Sequence, residues 1–178
     1  DGPLLVLAGA GSGKTSVITR KIAWLIAEKG VPSGRIAAVT FTNKAAREMK
    51  ERVQSLTERG STRGLIVSTF HNLGLRILKS ELKACGLRSG FSILDGADSK
   101  EILKEILRQG ESERDLDAVD VIHKRISDWK NALVLPEEAV STAETDDDLR
   151  AAMAYGGYDR MLRVCNAVDF DDLILRAS

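Results

Sequence analysis

The chain has 178 residues and a mass of 19.4 kDa, with 43% apolar and 29% charged residues. That balance excludes a disordered chain, and no apolar run approaches the ~20 residues of a membrane helix. The length suits one domain and part of a second. The net charge is zero, yet residues 1–88 hold 15 Lys and Arg against 6 Asp and Glu, while residues 89–178 hold 11 against 20. A polyanion would therefore meet the first half and not the second. Cys85 and Cys165 lack metal-type spacing and read as free thiols of a reducing compartment. The chain begins without Met, shows no signal or transit segment, and stops inside a helical pattern, so it reads as a fragment.

In chain order, Leu4-Leu5-Val6-Leu7 is a continuous apolar run, the pattern of a buried parallel strand. After a Gly-rich turn, Ile18, Ile22, Leu25 and Ile26 recur at helical spacing until Gly30 and Pro32. Ile36 to Phe41 reads as a strand, and Met49, Val53 and Leu56 mark a helix from about Asn43. Leu65 to Thr69 is a further strand, and Leu73, Ile77 and Leu78 continue as helix. This alternation predicts an α/β fold with a parallel sheet covered by helices.

The pattern changes after Phe91-Ser92-Ile93-Leu94, where helical periodicity takes over. Asp98 and Glu101 have the spacing of a capping box ahead of Ile102, Leu103, Ile106 and Leu107. Leu116, Val119, Ile122, Ile126, Trp129 and Leu133 stripe a longer helix, and Pro136 suits the first turn of another. Asp146-Asp147-Asp148 suits a helix start, and Gly156-Gly157 suggests a kink or break. The organisation expected is a sheet domain over residues 1–86, a helical insertion over 87–165, and a return to the sheet domain over 166–178.

The strongest chemical signal is Ala8-Gly9-Ala10-Gly11-Ser12-Gly13-Lys14-Thr15, which matches the phosphate-loop pattern except that Ala8 replaces its first Gly. Glycines let backbone N–H groups turn in around a phosphate, and the helix start adds positive potential. Lys14 is placed for the β- and γ-phosphates of ATP, and the Thr15 hydroxyl for Mg²⁺. Ser16 follows in the same first turn.

Two strand ends carry related tetrapeptides, Thr40-Phe41-Thr42-Asn43 and Thr69-Phe70-His71-Asn72. In an open α/β sheet such ends share a ligand-binding rim. There an aromatic ring can stack a base while hydroxyl, amide and Lys side chains, Lys44 among them, bind phosphates. The alternative is that Phe41 and Phe70 are core and Asn43 is a helix cap. Asp169, Asp171 and Asp172 look like a metal cluster but read as caps that orient a helix. His123 reads as a partly exposed helix residue. Trp129 and Lys130 suit either a DNA-facing surface or, for Trp129, the helical core.

The phosphate loop, the run Ala38 to Met49 and Ser68-Thr69-Phe70-His71 together resemble the UvrD/Rep/PcrA family of superfamily 1 DNA helicases. Ile126 to Asn131 and Val168 to Ile174 resemble the Rep branch most. The resemblance implies the first RecA-like, P-loop motor domain of an ATP-dependent 3′→5′ translocase on single-stranded DNA, with a helical insertion. It implies ATP phosphate contacts at Ala8 to Ser16 and single-stranded DNA contacts at Thr40, Phe41, Thr42, Asn43, Lys44, Thr69, Phe70 and His71. It further implies forked DNA as substrate, other replication proteins as partners through regions outside the chain, and a bacterial cytoplasmic location without a membrane.

The family's D-E-x-Q-D segment, its adenine-reading Gln and its second motor domain with an arginine finger are not encoded here, and Ser16 stands where the family usually has Arg. The fragment is therefore expected to be inactive alone. Two other classes are weaker. A small nucleotide kinase needs a second acidic strand end and lid arginines. A pure interaction module leaves the phosphate loop without a purpose.

Overall fold

The computed structural model describes residues 2–7, 9, 11, 13–108 and 118–178. The chain divides into two compact units, Asp1–Leu73 and Gly74–Ser178.

The first unit is α/β. It holds α1 (Lys14–Ala27), β1 (Ala37–Thr40), α2 (Asn43–Ser55), β2 (Ile66–Thr69) and the start of α3 (Phe70–Ser80). β1 and β2 pair in parallel, from Ala37 opposite Ile66 to Thr40 opposite Thr69. Ile22 and Ile26 on α1, and Met49 and Val53 on α2, are each four residues apart and so share a helix face. Those faces meet Ile36, Ala38, Leu65 and Val67 in one core. Val53 is fully buried, which contributes about 1.5–3 kcal/mol. Gly30, at φ 61°, makes the left-handed turn that stops α1 where the sequence predicts.

One expectation fails in this unit. Leu4 to Leu7 form no strand, and their side chains are 82%, 80%, 51% and 85% exposed. An apolar run states a preference for burial, but a strand also needs a neighbour to take its N–H and C=O groups. The described sheet is β1 with β2 alone, and the run pairs with neither.

The second unit begins within α3 and continues with β3 (Ser92–Ile93), α4 (Gly96–Arg108), α5 (Val119–Asn131), α6 (Pro136–Ser141), α7 (Asp146–Val164), β4 (Ala167–Val168) and α8 (Asp172–Leu175). The short strands β3 and β4 pair in parallel and bracket the helices. Leu103, Leu107, Ile122, Ile126, Tyr155, Tyr158 and Leu162 form the main core. A smaller core joins Leu78, Leu87, Val168 and Leu173. Gly74 lies against the Leu173 carbonyl so closely that a Cβ there would stand 1.8 Å from its oxygen.

Local chemistry explains the helix starts, with two corrections. Pro136 opens α6, and the Thr145 hydroxyl accepts from Asp148 N ahead of three aspartates that oppose the α7 dipole. The cap of α4 is Asp95, whose Oδ1 accepts from Ala97 N at 2.8 Å and Asp98 N at 2.9 Å. The expected Asp98–Glu101 box is displaced by this earlier carboxylate. Gly156-Gly157 is no break, since α7 runs through both. A Cβ at Gly157 would sit 3.1 Å from Ile106 Cγ2, so the glycine lets α4 approach α7. Leu116, assigned to the α5 stripe, lies outside the described residues.

Candidate functional site

The phosphate-loop residues described are Gly9, Gly11, Gly13, Lys14, Thr15 and Ser16; Ala8, Ala10 and Ser12 lie outside the described set. Gly11 and Gly13 have φ of 74° and 81°, which L side chains rarely adopt. No side chain caps α1 at Gly13, and a Cβ built on Gly9, Gly11 or Gly13 meets nothing within 4 Å. Lys14 turns its ammonium back to donate to the Gly9 carbonyl at 2.5 Å. Thr15 and Ser16 are exposed on the first turn. The donors offered are a cation, a hydroxyl and an uncapped helix start beside two left-handed glycines. This set fits a polyphosphate with a divalent cation.

The second feature is built by the β1–β2 register. Thr40 lies opposite Thr69, so the two loops leave the sheet at one level. The loops then diverge. Thr42, extended at φ −123° and ψ 148°, caps α2 by accepting from Ala45 N at 3.1 Å. Thr69 accepts from Asn72 N at 3.2 Å, and α3 starts at once. Asn43 is therefore the first residue of α2 and not its cap. Phe41 is 89% exposed and Phe70 45% exposed, which removes the core reading of both. Their ring centroids are 5.7 Å apart with planes tilted by 48°. His71 and Lys44 are exposed, Thr40 is half-buried and Thr69 is buried. Phe41, Phe70 and Asn43 are thus brought together, and Asn43 Oδ1 accepts from Asn72 Nδ2 at 2.9 Å. Asn72 is the residue that the sequence reading left out of the site. Its signal was the repeated terminal Asn of the two tetrapeptides.

In the second unit, Lys130 is only 1% exposed, which overturns its assignment to a DNA-facing surface. Its ammonium bonds Asp169 Oδ2 at 2.7 Å and Asp172 Oδ1 at 2.8 Å. Asp169 also accepts from the Tyr158 hydroxyl and from Asp172 N, so it caps α8 as the sequence suggests. Arg176 lies 3.3 Å from Asp172 Oδ2 and 3.4 Å from Asp159. Burial pushes the Asp172 carboxyl above its ordinary value. Burial acts the same way on Asp169, but Lys130, the Asp172 N–H and the Tyr158 hydroxyl outweigh it and hold that carboxyl low. Trp129 stacks on Tyr155 at 6.1 Å, beneath Arg125, and packs against the helical core. His123 is half-exposed on α5. A 370 Å³ cavity in this unit is lined by Cys85, Tyr155, Asp159, Arg163 and Arg176, none of which was assigned to a site from sequence. No described helix is long and apolar enough to cross a membrane.

The profile of the UvrD/REP helicase N-terminal domain matches residues 1–178. The chain is 53% identical over 174 residues to the ATP-dependent DNA helicase Rep of Salmonella typhimurium, and equally to that of Escherichia coli, covering 98% of this chain and 26% of each relative. It is 46% identical over 179 residues to the ATP-dependent DNA helicase PcrA of Bacillus subtilis, covering 98% of this chain and 24% of that protein. The chain therefore spans about a quarter of the length of these relatives.

Proposed function

We propose that this chain, which belongs to the UvrD/REP helicase N-terminal domain family, is the part of an ATP-dependent 3′→5′ DNA helicase that holds nucleotide phosphates on one loop and single-stranded DNA on two others. In this reading residues 1–86 and 166–178 belong to a RecA-like P-loop motor domain, and residues 87–165 are its helical insertion. The observation that carries the reading is the paired rim: parallel register sets Thr40 beside Thr69 and leaves two exposed phenylalanines in contact.

Bound ATP with Mg²⁺ supplies the phosphoanhydride whose hydrolysis drives movement along the strand. The protein's share is binding and orientation. The loop's backbone N–H groups would hold the phosphates, Lys14 would offset charge on the β- and γ-groups, and the Thr15 hydroxyl would hold the cation. Ser16 offers no planar group to stack on adenine, so phosphate contacts dominate and base preference is small. On the rim, Phe41 and Phe70 stack bases, while Thr40, Thr42, Asn43, Lys44, Thr69 and His71 contact the backbone. The whole protein is read as a bacterial cytoplasmic enzyme of DNA replication and repair that acts on single-stranded and forked DNA alongside other replication proteins.

The test titrates labelled oligo-dT with the purified chain at low and high salt. Stacking contributes about 1–3 kcal/mol per base, so Phe41→Ala and Phe70→Ala should each weaken binding at least about fivefold. Lys14→Ala should abolish pyrophosphate and ATP binding while leaving oligo-dT binding intact. The chain alone should hydrolyse no ATP, because residues 1–178 encode neither the D-E-x-Q-D carboxylates nor a second-domain arginine, and such an arginine is worth ~10³–10⁵ in rate. Oligo-dT binding unchanged by both Phe substitutions would remove the rim as the DNA site.

A further inference from the structure

The geometry points to Asn72 as a positioning residue that ties the two rim loops into a single stacking face. This inference rests on the reading of Phe41 and Phe70 as the DNA-contacting rings. Phe41 stands on an open loop, two residues before α2, whereas Phe70 is the first residue of α3. A loop and a helix start differ in stiffness, so sheet register alone does not hold the two rings at one separation. Register ends at the Thr40–Thr69 pair. Beyond it the two loops are joined by the ring contact and by the hydrogen bond from Asn72 Nδ2 to Asn43 Oδ1.

That bond is anchored at both ends. Asn72 is fixed by its backbone N–H, which donates to the buried Thr69 hydroxyl. Asn43 is fixed as the residue after the Thr42 cap, whose hydroxyl accepts from Ala45 N. The amide pair therefore closes a ring of contacts from β2 through α3 to α2, and back through Phe41 to β1.

The ring spacing says how DNA uses this face. A base sandwiched between two rings needs about 7 Å between parallel planes, twice a carbon contact distance. Centroids at 5.7 Å with a 48° tilt leave no such slot. A base must stack on the outer side of the closed pair. Asn72 keeps the pair closed and so presents one broad face instead of two independent rings.

The experiment uses the purified chain and an oligo-dT strand carrying one 2-aminopurine, whose fluorescence is quenched when it stacks. The variants are Asn72→Ala, Asn43→Ala and their combination, each alone and together with Phe41→Ala. Both amides are exposed, so folding should be unaffected, and Asn72→Ser, which also removes the amide donor, serves if Asn72→Ala does not fold. Losing one hydrogen bond predicts about three- to tenfold weaker binding for Asn72→Ala; Asn43→Ala loses that bond and its own DNA contact, so the double variant should bind no more weakly than Asn43→Ala alone. Phe41→Ala should cost less in the Asn72→Ala background than in the parent chain. Quenching at saturating protein should fall, a signal that reports stacking and not affinity. Losses that add between Asn72→Ala and Phe41→Ala would mean that Asn72 contacts DNA on its own account, which overturns the inference. Unchanged affinity and quenching in Asn72→Ala would overturn it equally. In either case Phe41→Ala and Phe70→Ala still weaken binding and the rim survives as the DNA site; if those two are silent, the rim reading fails first.

Discussion

Replacing Lys130 with Met tests whether the dry ion cluster holds the second unit together. The substitution keeps an apolar stem of similar length, so the cavity cost is small and the change isolates the ammonium. In the parent chain that ammonium sits 2.7 Å from Asp169 and 2.8 Å from Asp172, with its side chain 1% exposed. Once it is removed, Arg176 remains beside Asp172 at 3.3 Å, and Asp169 keeps only the Tyr158 hydroxyl and the Asp172 N–H. Stranding a buried charge in this way costs about 3–5 kcal/mol.

The sign of the pH dependence follows from the carboxyl left behind. An unpaired buried carboxyl has a folded-state pKa above its unfolded value, so the variant loses stability as pH rises through that raised value. In the parent, the lowered Asp169 contributes fully above its ordinary pKa and loses that contribution only as pH falls below it. The raised Asp172 gives the parent a slope of the variant's sign, so the comparison is between differences. The Lys130→Met penalty should therefore be larger at pH 8 than at pH 5. Urea denaturation read by Trp129 fluorescence in a Trp24→Phe background reports this unit, since these are the only two tryptophans. With m near 2 kcal/mol/M the midpoint should fall by about 2 M at pH 8. Adding Asp169→Asn and Asp172→Asn should recover at least half of the loss. A penalty below about 1 kcal/mol, or one equal at pH 5 and pH 8, would refute the view that Lys130 is the counter-ion of a desolvated pair.

Three further outcomes are expected. Gly74→Ala should cost more than about 3 kcal/mol, because its Cβ would fall 1.8 Å from a backbone oxygen that cannot move without shifting α8; this is measured by the same urea titration. Thr42→Ala should destabilise the first unit by about 1 kcal/mol through loss of the α2 cap, with Thr42→Ser retaining most of it, as read by Trp24 fluorescence in a Trp129→Phe background. Tyr158→Phe should cost about 1.5–3 kcal/mol, the loss of a hydrogen bond to a charged acceptor, and the cost should shrink if Asp169 is already Asn.

The local grammar of this chain was legible from residue types alone. Helical spacing placed α1, α2 and α4 to α7, because a 3.6-residue period and a first-turn residue such as Pro136 act within one or two turns, whereas the cap of α2 proved to be Thr42 and not Asn43. The phosphate-loop pattern was legible for the same reason: its glycines ask for a local backbone conformation, and Gly11 and Gly13 adopt positive φ. Two repeated tetrapeptides after two apolar strands marked the rim. What the sequence did not determine depends on neighbours distant along the chain. Leu4 to Leu7 look like a strand, yet a strand exists only where another offers it hydrogen bonds, and the described sheet does not. Lys130 looks like any helix lysine until Asp169 and Asp172, about forty residues on, close around it. Gly156-Gly157 looked like a break until Ile106 of α4 came to lie against Gly157. The Asn43–Asn72 bond spans 29 residues and exists because parallel register sets both loops at one height. Burial, pairing and close approach are properties of the packed chain: a side chain's own chemistry sets what it needs, and the tertiary structure decides whether a partner is there to meet that need.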